Sequence, residues 1–159
     1  MTMKEAMDYN TFFSRKSDIV AKDLLGKRIS RITNVGEITG TIAETGAYEG
    51  GKITHSRAGM LYAPGTLFLM PFRGLKLLNI ATDKSAYPSC IEIRKLWVPG
   101  QEIKGPGAIS KFLGFECLEG KLICHESKIY DCPISEEFKI TKVKGKSENC
   151  LGYFSLTPK

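Results

Sequence analysis

Paired cysteines at CxxC spacing are missing from this chain, as are a secretory leader, an internal repeat, a linker and any low-complexity tract. Each absence narrows the field. Five cysteines, at positions 90, 117, 124, 132 and 150, form an odd set. With no leader, they predict reduced thiols and intracellular residence, in cytoplasm, nucleoid or nucleus, rather than a disulfide framework. The one metal-like grouping, Cys117, Cys124, His125 and Cys132, has spacings that fit no zinc ribbon or finger, so no metal site is expected. With neither repeat nor linker, 159 residues predict a single domain over 1–159 with a core of its own. Hydrophobic content of 42% and charged content of 25% exclude a disordered chain and argue against a membrane protein.

The charge that is present has a sign. Lys and Arg number 23 against 17 Asp and Glu, a net +6, which favours contact with polyanions without proving it. Lys139, Lys142, Lys144 and Lys146 are the densest late cluster, while Arg57, Arg73 and Lys76 lie farther upstream.

Residues 1–16 are polar, with an aromatic group at Tyr9, Phe12 and Phe13, and read as an N-terminal arm docked on the body. Ser17 offers an N-cap to a short amphipathic helix carrying Val20, Ala21, Leu24 and Leu25, and Gly26 can close it in a left-handed conformation. The period then changes to two. Residues 28–35 and 38–44 predict a hairpin, and 66–72 with 75–81 a second, joined by Arg73-Gly74, where glycine allows the tight two-residue turn. Pro71 confines its strand to an edge or a bulge. Residues 91–97 alternate as another strand, and Gly105-Pro106-Gly107 opens a helix over 108–113 that Gly114 stops. Short strands follow at 121–125, 138–144 and 152–156. The fold class expected is α/β: one domain with a curved, largely antiparallel, barrel-like sheet and a few short helices.

Several segments carry chemistry when taken in order: Glu44-Thr45-Gly46-Ala47-Tyr48, Thr54-His55-Ser56-Arg57, Pro64-Gly65-Thr66-Leu67-Phe68, Asn79, Arg94 and Gly105-Pro106-Gly107. In a strand Glu44, Gly46 and Tyr48 share one face, which sets an acid beside an aromatic plane. The set resembles the 3-methyladenine (alkylpurine) DNA glycosylase family, whose usual text is E-T-E-A-Y, then H-S/A-R, then P-G-x-x-Y. The resemblance runs along nearly the whole chain, with about two residues fewer between Tyr48 and His55 and one fewer between Gly74 and Asn79. It implies the same barrel-like domain, a fold that also resembles the C-terminal domain of methionyl-tRNA formyltransferase.

The resemblance further implies a monomer acting on double-stranded DNA with alkylated bases, without metal or organic cofactor. An enzyme that acts on a base in a duplex must rotate the nucleotide out of the stack, fill the gap and grip the backbone. In that scheme Tyr48 stacks on the extruded base and His55 lies against the base and its phosphate. Phe68 and Met70 stand where the family carries tyrosines, Met70 replacing a rigid plane with a flexible thioether. Asn79 bonds near the purine, and Arg94 lies close to the sugar and the attacking water. Arg73 with Gly74 forms the hairpin tip that enters the minor groove, Gly105 and Gly107 frame a phosphate-facing helix start, and Arg57 belongs to the DNA-binding rim.

Gly46 is the departure. It replaces the glutamate that in the family activates water, and glycine cannot take a proton. Glu44 is the substitute the sequence offers, two residues away or about 6.6 Å along the strand. Without a base, activity should persist on cationic 3-methyladenine and 7-methylguanine and be poor on neutral hypoxanthine or ethenoadenine. Two alternatives stand beside the glycosylase: a non-catalytic protein that binds lesions or abasic sites, and a plain RNA-binding barrel.

Overall fold

The computed structural model describes residues 5–6, 8–50, 54–115, 127–132 and 134–159. Among them the chain runs β1 (Glu5–Ala6), α1 (Tyr9–Phe13), α2 (Ser17–Asp23), β2 (Arg28–Thr33), β3 (Gly36–Glu49), α3 (Thr54–Gly59), β4 (Leu67–Phe72) and β5 (Leu75–Ala81). It continues with β6 (Ser89–Val98), β7 (Gln101–Lys104), α4 (Pro106–Phe112), β8 (Ser127–Asp131), β9 (Phe138–Val143) and β10 (Cys150–Pro158). Residues 121–125, where a strand is predicted, lie outside the described residues, as do Cys117, Cys124 and His125.

All the strand pairs are antiparallel, and the main path of the sheet is β1-β8-β2-β3-β6-β5-β4. The long strand β3 organises it. On one edge its first half pairs with β2, through Gly36–Thr41, and its second half with β10, through Glu44–Tyr48; on the other edge Thr41–Glu49 pairs with β6. A strand that hands one edge from β2 to β10 bends the sheet around itself, which gives the curled half-barrel.

Alternation along these strands sends successive side chains to opposite faces. Ile42, Ala47, Ile91, Ile93 and Leu96 join Phe13, Val20, Ala21, Leu24, Leu25, Ile109 and Leu113 from the helical segments in the principal core. The neighbouring positions Tyr48, Phe68, Met70, Leu77, Ala81 and Cys90 form a second, smaller cluster with Cys150. Helix α3 closes against β6, where Gly59 meets the backbone of Ser89 so tightly that a Cβ would overlap it. Because β5 and β6 are covered on both sides, Cys90, Ile91, Glu92 and Ile93 are all buried, and simple inward–outward alternation fails there.

The turn at Arg73-Gly74 has positive φ at both residues, 50° and 79°, as a two-residue type I′ turn demands, and Phe72 is in register with Leu75. Pro71 sits on the edge strand β4. Ser17 is not the N-cap of α2: Lys16 occupies that position without a side-chain bond, and Ser17 is the first helical residue, fully buried. The first hairpin turns at Asn34-Val35, and β3 continues through Glu49, past the predicted end at 44, because β10 and β6 pair with its second half.

Buried Thr45 on β3 donates its hydroxyl to the Ala21 carbonyl of α2 at 2.7 Å, which locks the strand to the helix beneath it. Thr45→Val keeps the shape but strands that carbonyl, so stability should fall by about 1–3 kcal/mol in urea unfolding, with the m-value unchanged.

Candidate active site

A row of directly opposed residues crosses five strands: Phe68 on β4, Asn79 on β5, Glu92 on β6, Gly46 on β3 and Tyr153 on β10. Opposed residues project to the same face. This row therefore lies on the side of the smaller cluster, the side to which Tyr48 also points.

Next to the row the ladder between β3 and β6 loses step. Ile42 pairs with Leu96 and Glu44 with Lys95, but Thr45 pairs with Ile93, so Ala43 and Arg94 are each the extra residue of an irregularity. Such bulges bend a strand and re-aim a side chain. Here the re-aimed side chain is Arg94. Its Nε donates to Glu44 Oε2 at 3.2 Å and its Nη1 to Glu92 Oε1 at 2.8 Å. The guanidinium lies 4.2 Å from the centroid of the Tyr153 ring, within range of a cation–π contact. Glu44 is held further by Ser155, whose hydroxyl donates to its Oε1 at 2.8 Å, and by Lys95 Nζ at 3.9 Å.

The electrostatics follow from this packing. Burial works against the charge of Arg94, but the Glu92 carboxylate, the two tyrosine hydroxyls and the Glu44 bond outweigh it and raise its pKa. Tyr48 is shifted far above an ordinary phenol, first by burial, then by the negative charge of Glu92 and a hydrogen bond with Tyr153. Burial, with Glu92 adding to it, likewise pushes the Cys90 thiol well up. Both groups therefore stay protonated at neutral pH.

A cleft of about 570 Å³ opens over this floor. Tyr48, Glu92 and Arg94 form its base, Leu75 and Leu77 of β5 one wall, and the start of α4, from Gly105 to Ala108 with Lys111, the other. Gly105, at φ 94°, donates its amide to the Arg94 carbonyl at 2.8 Å and so pins α4 to β6. Gly107 lets the helix approach Leu75, whose nearest carbon would be 3.1 Å from an added Cβ.

Of the residues singled out in the sequence, Glu44, Gly46, Tyr48 and Arg94 come together, and Gly105 and Gly107 line the same cleft. Met70 packs with Tyr48 in the smaller cluster and is 5% exposed. Asn79 is fully buried; its amide donates to the Leu77 carbonyl at 3.1 Å and its oxygen faces Cys90 Sγ at 3.5 Å. Arg57 is exposed on α3, Arg73 and Gly74 are exposed at the hairpin tip, and His55 falls in α3 with its side chain outside the described residues. Phe68 stacks on Tyr62, ring centroids 4.7 Å apart. Among the described residues no group of three or more His, Cys, Asp and Glu side chains could hold a metal ion, and no helix is long and apolar enough to cross a membrane.

Sequence reasoning missed Glu92, Tyr153 and Lys111. Glu92 left a signal: an acid inside the otherwise apolar run 90–93 is a buried charge, and a buried charge needs a partner. Tyr153 left none, since only the pairing of β10 with β3 brings it beside Gly46.

A model of the family described as methylpurine-DNA glycosylase matches residues 11–144. Curated relatives named "Putative 3-methyladenine DNA glycosylase" include one from Listeria monocytogenes serovar 1/2a, 29% identical over 154 residues, covering 79% of this chain and 74% of the relative. Another, from Methanocella arvoryzae, is 33% identical over 109 residues, 62% of this chain and 52% of the relative. A third, from Listeria welshimeri serovar 6b, is 31% identical over 130 residues, 65% of this chain and 63% of the relative. The chain thus spans between half and three quarters of the length of these relatives.

The raised pKa of Tyr48 sets an alkaline limit. Above about pH 10 the unfolded chain loses the phenol proton that the folded chain keeps, so this group's contribution to stability declines as pH rises, by about 1.4 kcal/mol per pH unit. Between pH 10 and 11, where the unfolded phenol goes from half to almost fully ionised, the stability of Tyr48→Phe, followed by urea unfolding, should fall by about 1 kcal/mol less than that of the wild type.

Proposed function

Within the methylpurine-DNA glycosylase family, to which this chain belongs, we propose that the protein is a monofunctional base-excision enzyme that removes alkylated purines, 3-methyladenine and 7-methylguanine, from duplex DNA. It extrudes the damaged nucleotide into the cleft and hydrolyses its N-glycosidic bond with water, leaving an abasic site. It works as a monomer, without a metal or organic cofactor.

The observation that carries this reading is the meeting of the Tyr48 ring with the Glu92 carboxylate and Arg94 at the cleft floor. Alkylation at a ring nitrogen makes a purine cationic. An aromatic face attracts such a cation by about 0.5–2 kcal/mol, so stacking on Tyr48 favours damaged over normal bases.

The other residues take roles around this centre. Met70 and His55 complete the pocket around the base. Asn79, its amide occupied by Leu77 and Cys90, holds β5 against β6. Arg73, exposed on its Gly74 turn, enters the minor groove in place of the extruded nucleotide, where a narrow groove draws a cation. Arg57 and Lys111 meet phosphates, Gly105 and Gly107 allow the backbone to approach, and the net +6 supplies sequence-independent affinity.

Purified protein should therefore release free 3-methyladenine and 7-methylguanine from methylated duplex DNA, resolved by chromatography. Tyr48→Ala should lower that release at least tenfold, and hypoxanthine should leave at least tenfold more slowly than 3-methyladenine. Tight lesion binding with no release would leave the protein a damage-recognition factor instead.

A further inference from the structure

We propose that Glu92 is the general base of this reaction, supplying from β6 the carboxylate that Gly46 cannot supply from β3. The inference rests on the glycosylase reading above and adds to it a residue that family resemblance does not name.

Register is the first ground. Glu92 and Gly46 are directly opposed across the β3–β6 ladder. Directly opposed Cβ positions lie about 4.5–5.5 Å apart, so a carboxylate rooted at 92 extends toward the space beside residue 46. Occupancy of that space is the second. A Cβ at Gly46 would stand 3.1 Å from Tyr153 Cδ1 and 3.2 Å from Arg94 Cδ. The glycine thus lets Tyr153 and Arg94 close over β3, and the acid arrives from the neighbouring strand.

Burial and position separate Glu92 from Glu44. Glu92 is 2% exposed and lines the cleft floor beside Tyr48. Glu44 does not line the cleft, and Ser155 of β10 with Arg94 and Lys95 of β6 holds its carboxylate. Glu92 is the nearer partner of Arg94, at 2.8 Å against 3.2 Å for Glu44, yet a carboxylate taken out of water costs desolvation that an ion pair seldom repays. A costly buried acid at the floor of a cleft is explained by chemistry done there.

A water oxygen forms a bond to the anomeric carbon while one of its protons passes to a Glu92 carboxylate oxygen. The bond from that carbon to the purine nitrogen breaks, and its electron pair enters the ring and cancels the positive charge that alkylation placed there. The neutral base leaves, and Glu92 returns its proton to solvent. Arg94, bonded to Glu92 Oε1, fixes the orientation of the carboxylate.

The test is single-turnover release of 3-methyladenine from methylated duplex by the wild type, Glu92→Gln and Glu44→Gln. Each is paired with binding to a duplex carrying a tetrahydrofuran abasic analogue. General-base assistance is worth about 10²–10⁴ in rate, so Glu92→Gln should release base at least a hundredfold more slowly while binding the abasic duplex within threefold of wild type. Glu44→Gln should remain at least tenfold faster than Glu92→Gln. Release by Glu92→Gln within threefold of wild type, or a loss in Glu44→Gln as deep as in Glu92→Gln, overturns the assignment. Should Glu92→Gln lose abasic binding as well, Glu92→Asp decides: release tenfold above Glu92→Gln supports a carboxylate base, and no recovery overturns it. Absence of release by the wild type would overturn the glycosylase reading itself, a failure distinct from that of Glu92.

Discussion

One guanidinium ties three strands together. Arg94 leaves β6 at a bulge, bonds Glu44 of β3 and Glu92 of its own strand, and lies over the ring of Tyr153 from β10. Without it the buried carboxylate of Glu92 would lose its guanidinium partner on the cleft floor, and breaking a buried pair costs several kcal/mol. With it, the acids, the aromatic ring of Tyr48 and the entrance to α4 keep fixed relations, because Gly105 donates to the Arg94 carbonyl from the far side. The bulge falls where β3 exchanges β2 for β10, the exchange that curls the sheet.

Gly46 shows how such a row tolerates exchange. In an antiparallel sheet, directly opposed positions on neighbouring strands share a face and nearly share a volume. A side chain can therefore be deleted from one strand and its chemical group supplied from the next, without moving the backbone. At Gly46 the lack of a side chain makes room for Tyr153 and Arg94, and in our account the proton acceptor stands one strand over, at Glu92.

Local signals were legible wherever the backbone itself imposes them. Arg73-Gly74 announced its hairpin because both residues must adopt positive φ, and Gly105-Pro106-Gly107 announced α4 because proline suits a first helical turn. The ordered motif segments carried the family. What escaped depends on pairing between distant segments. The strand with Glu92 resembled an ordinary half-exposed one, and only burial on both faces turned its acid into a site residue. Ser17 looked like a cap by type, yet Lys16 precedes the first turn and the serine is packed inside. The extension of β3 to Glu49 follows from its partners β10 and β6, which no local window contains.

The most direct measurement is a crystal structure of the protein with a duplex carrying a cationic pyrrolidine in place of the target deoxyribose, a mimic of the oxocarbenium-like transition state. The account predicts a water about 2.6–3.2 Å from a Glu92 carboxylate oxygen, aligned on the ring position that stands for the anomeric carbon, with Tyr48 beside the base pocket. A water held instead by Glu44, or a pyrrolidine bound away from both carboxylates, would contradict it.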